Sequence, residues 1–420
     1  MIKSKYNLLV KKGKNYILHN MLNKTTAILD KREYKQYVEF NDLDKTLFND
    51  LKESGFLVDK NFNEFEEALN LNNLAKNSYE SLNITLIPTF ACNLNCDYCY
   101  QNGLKNNIIT KENQLNFLEF IKKKLAKHNS KSLHLSWFGG EPLLVYEIIK
   151  TVNGELKEYC FNNNIEFSSS IATNLTMLTD DKAKEIQELS VTRIETTLAG
   201  TSKCHNKLRP SKDKSLDSYL ETIKGLTISI KYFITMLNIN YCKENYHDIL
   251  KLLKILKKIN NENLYINFNE IINYSQNRRK VKQLKDNEKI KLKLFNNAIL
   301  NGIKICDVTN FCKEHIFCPQ WHVNSFAIDN DLNVYKCSDR FDDNTKIGII
   351  KDGEIEFVNQ ELLDNSLPNK CLECNFLPYC NGGCKIKHQS NESPCPNELS
   401  HLDDYLYMFV ERQKYKDQGD

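Results

Sequence analysis

Between residues 82 and 275 the apolar positions fall into short runs separated by longer amphipathic stretches. The runs 83–88, 131–138, 165–173, 191–198, 228–237 and 263–272 have the length and the Ile, Leu, Val and Thr content of strands. Between them, 111–127, 143–160, 179–189, 214–225 and 245–258 repeat apolar residues at helical spacing. Six such repeats predict an α/β fold, a parallel sheet flanked by helices. Six rather than eight predict an open, partial (β/α)6 barrel, whose chemistry belongs on the loops after the strand C-termini. Upstream, Tyr6-Asn-Leu-Leu-Val10 and Tyr16-Ile-Leu-His19 flank Lys-Lys-Gly-Lys-Asn and predict a hairpin. Helical spacing near 43–54 and a short run at Phe56-Leu-Val-Asp59 complete a small N-terminal α+β domain over 1–80, of winged-helix type. The barrel is expected over 82–275 and a charged helical connection over 276–305. Periodicity fades over 306–396, and 397–420 read as a closing amphipathic helix.

Composition narrows the class. A chain of 420 residues with 41% hydrophobic content can bury a sizeable core. A net charge of +3 leaves no basic stripe for nucleic acid. No apolar run reaches the roughly 18 residues of a membrane span, and the N-terminus has no signal-type apolar core. A cytoplasmic protein is the expectation. The 15 cysteines then change the picture, because thiols in such a compartment read as metal or cluster ligands before disulfides. None lies in the first 80 residues, and nine lie between Cys306 and Cys395. A segment so rich in thiols and poor in apolar runs is expected to be held by metal.

Cys92, Cys96 and Cys99 stand in Ala91-Cys-Asn-Leu-Asn-Cys-Asp-Tyr-Cys-Tyr100, directly after the first expected strand. Three thiolates on one loop suit three irons of a [4Fe–4S] cube and leave the fourth open. Chance would place this spacing in such a chain about 0.02 times. The motif resembles that of the radical S-adenosylmethionine (SAM) superfamily, whose cluster cleaves SAM to a 5′-deoxyadenosyl radical. Trp137-Phe-Gly-Gly-Glu-Pro142, after the second expected strand, resembles the family's SAM-amine motif, which implies roles for Gly139, Gly140, Glu141 and Pro142. Ile171-Ala-Thr-Asn174 resembles the family's Thr-Asn-Gly, with Leu175 in place of the glycine. Glu195-Thr-Thr-Leu-Ala-Gly200 and His205-Asn-Lys-Leu-Arg209 resemble later family segments, with Ala199 where an Asp is usual. The resemblance implies cofactor contacts from Asn174, from Thr197 and Arg209 to the carboxylate, and from Asn238, placed after the fifth strand. Tyr98 is expected to pack on the adenine.

Cys371-x2-Cys374-x5-Cys380-x3-Cys384, then Cys395, form a second pattern, preceded by Cys312, Cys318 and Cys337. Eight thiols make two sets of four, which suit either two clusters or two Zn²⁺ ions. The pattern resembles the SPASM extension of peptide-modifying radical SAM enzymes. That resemblance implies one auxiliary [4Fe–4S] cluster on Cys312, Cys318, Cys337 and Cys384, and another on Cys371, Cys374, Cys380 and Cys395. Three clusters and SAM are therefore expected, with an external electron donor such as flavodoxin or ferredoxin. Leu332 departs from the usual Asp-Gly-Asn-Val run before the third of these cysteines.

The leading expectation is a maturase of a ribosomally made precursor peptide that forms an intramolecular cross-link, a Cys thioether. Residues 1–80 would then capture the leader by strand addition. They are expected to be removable without loss of the barrel or its clusters. Full ligation by eight cysteines leaves no open auxiliary iron for a substrate thiolate, which keeps C–C or C–O cross-linking in contention. A sulfatase-type maturase forming formylglycine is a further alternative. Its family places an Asp right after the third auxiliary cysteine, where this chain has Ser338 and then Asp339. A non-catalytic, metal-stabilised binding protein is the outside alternative.

Overall fold

Six parallel strands pair in sequence order: β1 Ser81–Leu86, β2 Ser132–Trp137, β3 Glu166–Ala172, β4 Val191–Leu198, β5 Ile234–Tyr241 and β6 Leu264–Glu270. Helices α1 Lys111–His128, α2 Tyr146–Asn162, α3 Asp180–Glu188, α4 Ser202–Leu208, α5 Ser218–Tyr232 and α6 Tyr246–Ile259 connect them. The computed structural model describes all residues except 42, 260, 275–276, 307–317, 390–392 and 418–420. Helix starts follow side-chain caps: Thr110, Thr179 and Asp217 accept from the backbone N–H three residues on.

Strands β1 and β2 alternate instead of reading as continuous apolar runs. Leu82, Ile84, Leu86, Leu133, Leu135 and Trp137 are fully buried, and the residues between them are polar and half-buried. Those polar residues pair across the inner face. His134 bridges Ser168 (2.8 Å) and Ser170 (3.1 Å). On β5 and β6, Asn238 Oδ1 accepts from the amides of Asn267 (3.3 Å) and Asn269 (3.0 Å). The alternation gives the barrel an apolar outer face under its helices and a polar lining.

Two expectations need correction. The fifth strand begins at Ile234, because residues 228–232 finish α5. The alternation at Ile228-Ser-Ile230 imitates a strand, but Thr222, Gly225, Leu226, Ser229 and Ile230 are buried at helical spacing, and packing prevails. Among the described residues of the charged connection, α7, Asn287–Leu300, is the α-helix.

Beyond β1 the sheet continues where no strand pattern is evident in the sequence. Strand β7, Ser325–Ile328, pairs parallel to β1, followed by antiparallel β8 Asn333–Tyr335, β9 Lys346–Lys351 and β10 Glu354–Phe357. These strands are too short for periodicity to register, and the free edge of β1 supplies the partner.

The described residues form two units, one drawn from 1–77, 307–322 and 365–420, the other from 78–306 and 323–364. The first contains an antiparallel meander of Asn7–Lys12, Asn15–Asn20 and Thr26–Leu29, over a core of Leu18, Leu29, Tyr37, Leu47, Leu51, Phe56 and Leu57. Helices Lys31–Glu39, Lys45–Glu53 and Glu64–Lys76 follow, the first closed by an Asp30/Glu33 capping box. The last of them buries Glu64, Ala68, Asn72 and Lys76, a mostly polar stripe that hydrophobic periodicity does not reveal. Within the same unit Asn72 Nδ2 lies 3.3 Å from Asn381 Oδ1, Lys24 Nζ donates to Pro378 O at 3.0 Å, and Lys12 pairs with Asp404.

Candidate functional site

The loops leaving β1 to β6, with the segment after β8, surround a cavity of about 570 Å³. Its walls carry Cys92, Cys96, Tyr98, Cys99, Gly139, Gly140, Asn174, Thr197, Arg209 and Asn238. Ten residues from 147 positions of sequence thus converge (92 to 238), and the size suits a small molecule.

The cysteine loop is fixed from both sides. Backbone bonds tie Asn95 N to Pro210 O (2.8 Å) and Asp97 N to Leu208 O (2.9 Å). Leu94 N donates to Cys92 Sγ at 3.4 Å, and Asn174 Nδ2 lies 3.8 Å from the same sulfur. Burial pushes all three thiols up, Cys92 to about 11. That cost is one a ligand binding thiolates must offset.

Gly139 and Gly140 are required by space. A Cβ on Gly139 would meet Thr89 O at 2.5 Å, and on Gly140 it would meet Ala91 O at 2.0 Å. Gly140 N and Glu141 N donate to Thr89 O (3.0 Å) and Ala91 O (2.8 Å), so this turn lies directly on the start of the cysteine loop. Glu141 and Pro142 do not reach the cavity wall. The buried Glu141 carboxylate instead accepts from Thr173 Oγ1 (2.7 Å), Asn174 N (2.7 Å) and Leu143 N (2.9 Å). Glu141 therefore fastens the β2 turn to the end of β3.

Arg209 is 8% exposed and its Nε has no hydrogen-bond partner among the described residues. Its NH1 donates to Tyr98 Oη at 3.2 Å, and no carboxylate pairs with it among those residues. Burial works against the charge, but Tyr98 and the thiols of Cys96 and Cys92 outweigh it and hold the guanidinium charged. A buried cation that faces a cavity with no carboxylate ion pair among the described residues suits an anionic ligand. Tyr98 also accepts from Asn240 Nδ2 (3.3 Å) and packs against Ala199, Leu208, Cys242, Ile271 and Val281. Its hydroxyl is thus committed to Arg209 and Asn240. Asn238 lies within β5, not after it, because the strand runs on to Tyr241.

Several cavity residues escape sequence reasoning. Asn240 and Asn269 repeat the inward position two residues on from Asn238 and Asn267, a signal visible only once the strands are in register. Tyr100 Oη donates to Asp339 Oδ1 (3.2 Å) and to Ser338 O (3.3 Å), which sets Asp339 in the cavity wall. Burial raises the Asp339 carboxyl, with Tyr100 and Arg340 opposing. Arg279, read as part of a helix, reaches Asp97 of the cysteine loop (Nε to Oδ2, 2.8 Å) and Glu244 (NH1 to Oε2, 2.9 Å). No sequence motif marks it.

In the other unit Cys374 and Cys395 act electrostatically on both Cys371 and Cys380, and Cys371 acts on Cys380. Gly383 N donates to Cys380 O (2.9 Å) and Cys384 N to Pro394 O (3.0 Å), which folds this segment back on itself. Cys318 and Cys384 belong to that unit and Cys337 to the barrel unit, and Cys312 lies outside the described residues. Among the described residues no three Cys, His, Asp or Glu side chains are close enough to share one metal ion.

Residues 86–256 match the Radical SAM superfamily. The "Cysteine-type anaerobic sulfatase-maturating enzyme" of Clostridium novyi is 28% identical over 352 residues, covering 74% of this chain and 90% of the relative. Among solved structures, "Native anSMEcpe with bound AdoMet and Cp18Cys peptide" superposes with a TM-score of 0.62 at 18% identity, over 81% of this chain and all of the other. Streptococcus suis SuiB bound to precursor peptide SuiA superposes with a TM-score of 0.54 at 16% identity, over 94% of this chain and 97% of the other. At these identities the superpositions speak to the fold.

Proposed function

Because this chain belongs to the radical SAM superfamily and is an enzyme, we propose that it modifies a peptide or protein by removing hydrogen from a side chain. The observation that carries the reading is the cavity, where three thiols of one loop, a glycine turn with no room for Cβ, and a buried guanidinium face a common space. Cys92, Cys96 and Cys99 would hold the [4Fe–4S] cluster, Arg209 the methionyl carboxylate, and the Gly139–Gly140 backbone the amine. When bound, cluster and SAM together supply the radical that takes the hydrogen. The chain's own part is to hold these groups in one orientation: Glu141 braces the glycine turn, and Tyr98 and Asn240 aim Arg209.

The eight C-terminal cysteines would hold two auxiliary clusters. Tetrahedral ligation of a single Zn²⁺ needs thiolates about 4 Å apart. Among the described residues no three Cys, His, Asp or Glu side chains stand that close, and an iron and sulfide assay decides between clusters and zinc.

A precursor peptide is the substrate we favour, and a thioether the product. Forming that bond would take a hydrogen atom from carbon, accepted by the SAM-derived radical, and a proton and an electron from sulfur, the electron passing to an auxiliary cluster, so the peptide loses two hydrogens. The N-terminal meander supports a leader site. Its Thr26–Leu29 strand pairs on one side only among the described residues, and Ile28 on it is 50% exposed. Such an edge can accept an extended segment.

A second reading has its own observation. Asp339 stands in the cavity wall, where it could serve as the base of a formylglycine-forming maturase. Mass spectrometry of peptides incubated with reconstituted enzyme and SAM separates the two. Loss of two hydrogens without a free aldehyde supports a cross-link, whereas an aldehyde, made from Cys with sulfur replaced by oxygen or from Ser by loss of two hydrogens, supports formylglycine. Failure to make 5′-deoxyadenosine at all would remove both.

A further inference from the structure

Lys76 ends the helix Glu64–Lys76, is 1% exposed, and its Nζ makes no hydrogen bond or ion pair among the described residues. The ammonium lies 4.2 Å from the centroid of the Trp321 ring. Lys385 Nζ lies 5.3 Å from the same centroid and donates to Asn365 Oδ1 at 2.8 Å. Two buried ammonium groups therefore share one indole. A ring face offsets only part of the cost of taking an ammonium out of water, and the two cations repel. Burial, then Lys385, push Lys76 down to about 8, while Cys371 pulls the other way. Cys371 is within electrostatic range of both Lys76 and the other three thiols of its set. The pocket is built as part of that cysteine segment: Trp321 Nε1 donates to Gly383 O (2.8 Å), and Asn72, one turn before Lys76, meets Asn381 between Cys380 and Cys384.

We propose that Lys76 is the counter-charge of the cluster held by Cys371, Cys374, Cys380 and Cys395 and sets its reduction potential. The inference rests on the reading that these four cysteines hold a cluster. Four thiolates around a [4Fe–4S] core leave a net negative charge that grows on reduction, so a buried cation beside it stabilises the reduced state. In the same way the anion supplies the partner that Lys76 lacks.

The test is a potentiometric titration followed by electron paramagnetic resonance, on full-length protein reconstituted with iron and sulfide. A Cys92→Ala, Cys96→Ala, Cys99→Ala background isolates the auxiliary signals. In that background Lys76→Met should lower the midpoint of one signal, the one that Cys374→Ala deletes. The expected shift is a roughly tenfold change in the reduced-to-oxidised ratio, about 59 mV for one electron. Lys76→Arg should restore it. In cluster-free protein Lys76→Met should raise the melting temperature, because an unpaired buried charge is gone. An unchanged midpoint in loaded Lys76→Met protein overturns the inference and leaves the cluster reading intact. Equal loss of iron in the Met and Arg variants also overturns it, by assigning Lys76 to packing alone. Wild-type protein with no signal that depends on Cys374 overturns the cluster reading and the inference together.

Discussion

Leu175 and Leu332 stand where the resembled motifs carry glycine, and both keep the left-handed backbone that glycine favours, with φ of 65° and 63°. Each is also buried, at 1% and 2% exposure, so the side chain contributes packing where its backbone costs. At Leu175 the room comes from Gly225, where a Cβ would meet Leu175 O at 2.3 Å. The left-handed conformation costs a non-glycine residue about 1 kcal/mol, whereas emptying a buried leucine site costs about 2–5 kcal/mol. Restoring the motif residue by Leu175→Gly should therefore destabilise the protein, by about 2–4 kcal/mol in urea unfolding. Arg209→Lys should weaken SAM binding about ten- to hundredfold, because a two-pronged donor becomes a point charge. Anaerobic equilibrium dialysis measures it, and unchanged affinity would move the carboxylate contact elsewhere.

Among the elements, the N-terminal helices and meander change an experiment. The sequence reading treats residues 1–80 as removable, yet Lys24, Asn72 and Lys76 contact the cysteine segment 371–384 and its Trp321. Deleting 1–77 should therefore lower bound iron by about four per chain, the content of one cluster, instead of leaving it unchanged. Leader capture is better tested on the free edge. Ile28→Lys puts a charge on the exposed position of Thr26–Leu29 and should weaken leader peptide binding while iron content stays constant. The opposite edge of the meander is not equivalent, since its Lys12 pairs with Asp404 of the helix Leu402–Asp417.

For the whole molecule the count of thiols makes the broadest prediction. Eleven cysteines in sets of three, four and four should bind about 12 irons when reconstituted without oxygen. Replacing Cys92, Cys96 and Cys99 by Ala should leave about 8 and abolish 5′-deoxyadenosine formation. Cleavage product from that variant would show that initiation occurs elsewhere. Colorimetric iron and sulfide assays settle the stoichiometry, and zinc in their place would end the cluster reading.

What local spacing encodes is legible in the sequence itself. The alternation of strand and helix, the three-cysteine loop after the first strand and the glycine pair after the second are short-range patterns, and the parallel sheet and the cavity around these loops follow them. What needed tertiary structure involves residues whose partners lie far along the chain. The ends of β5 and α5 were decided by packing over alternation, and the strands β7 to β10 by the free edge of β1. Glu141 ties the β2 turn to β3, and Arg209 has no carboxylate ion pair among the described residues, only because of what surrounds them in space. The polar stripe of Glu64–Lys76 carries no hydrophobic signature, since its buried face is set by Asn381 and Trp321 more than 240 residues away, from Lys76 to Trp321 and from Asn72 to Asn381.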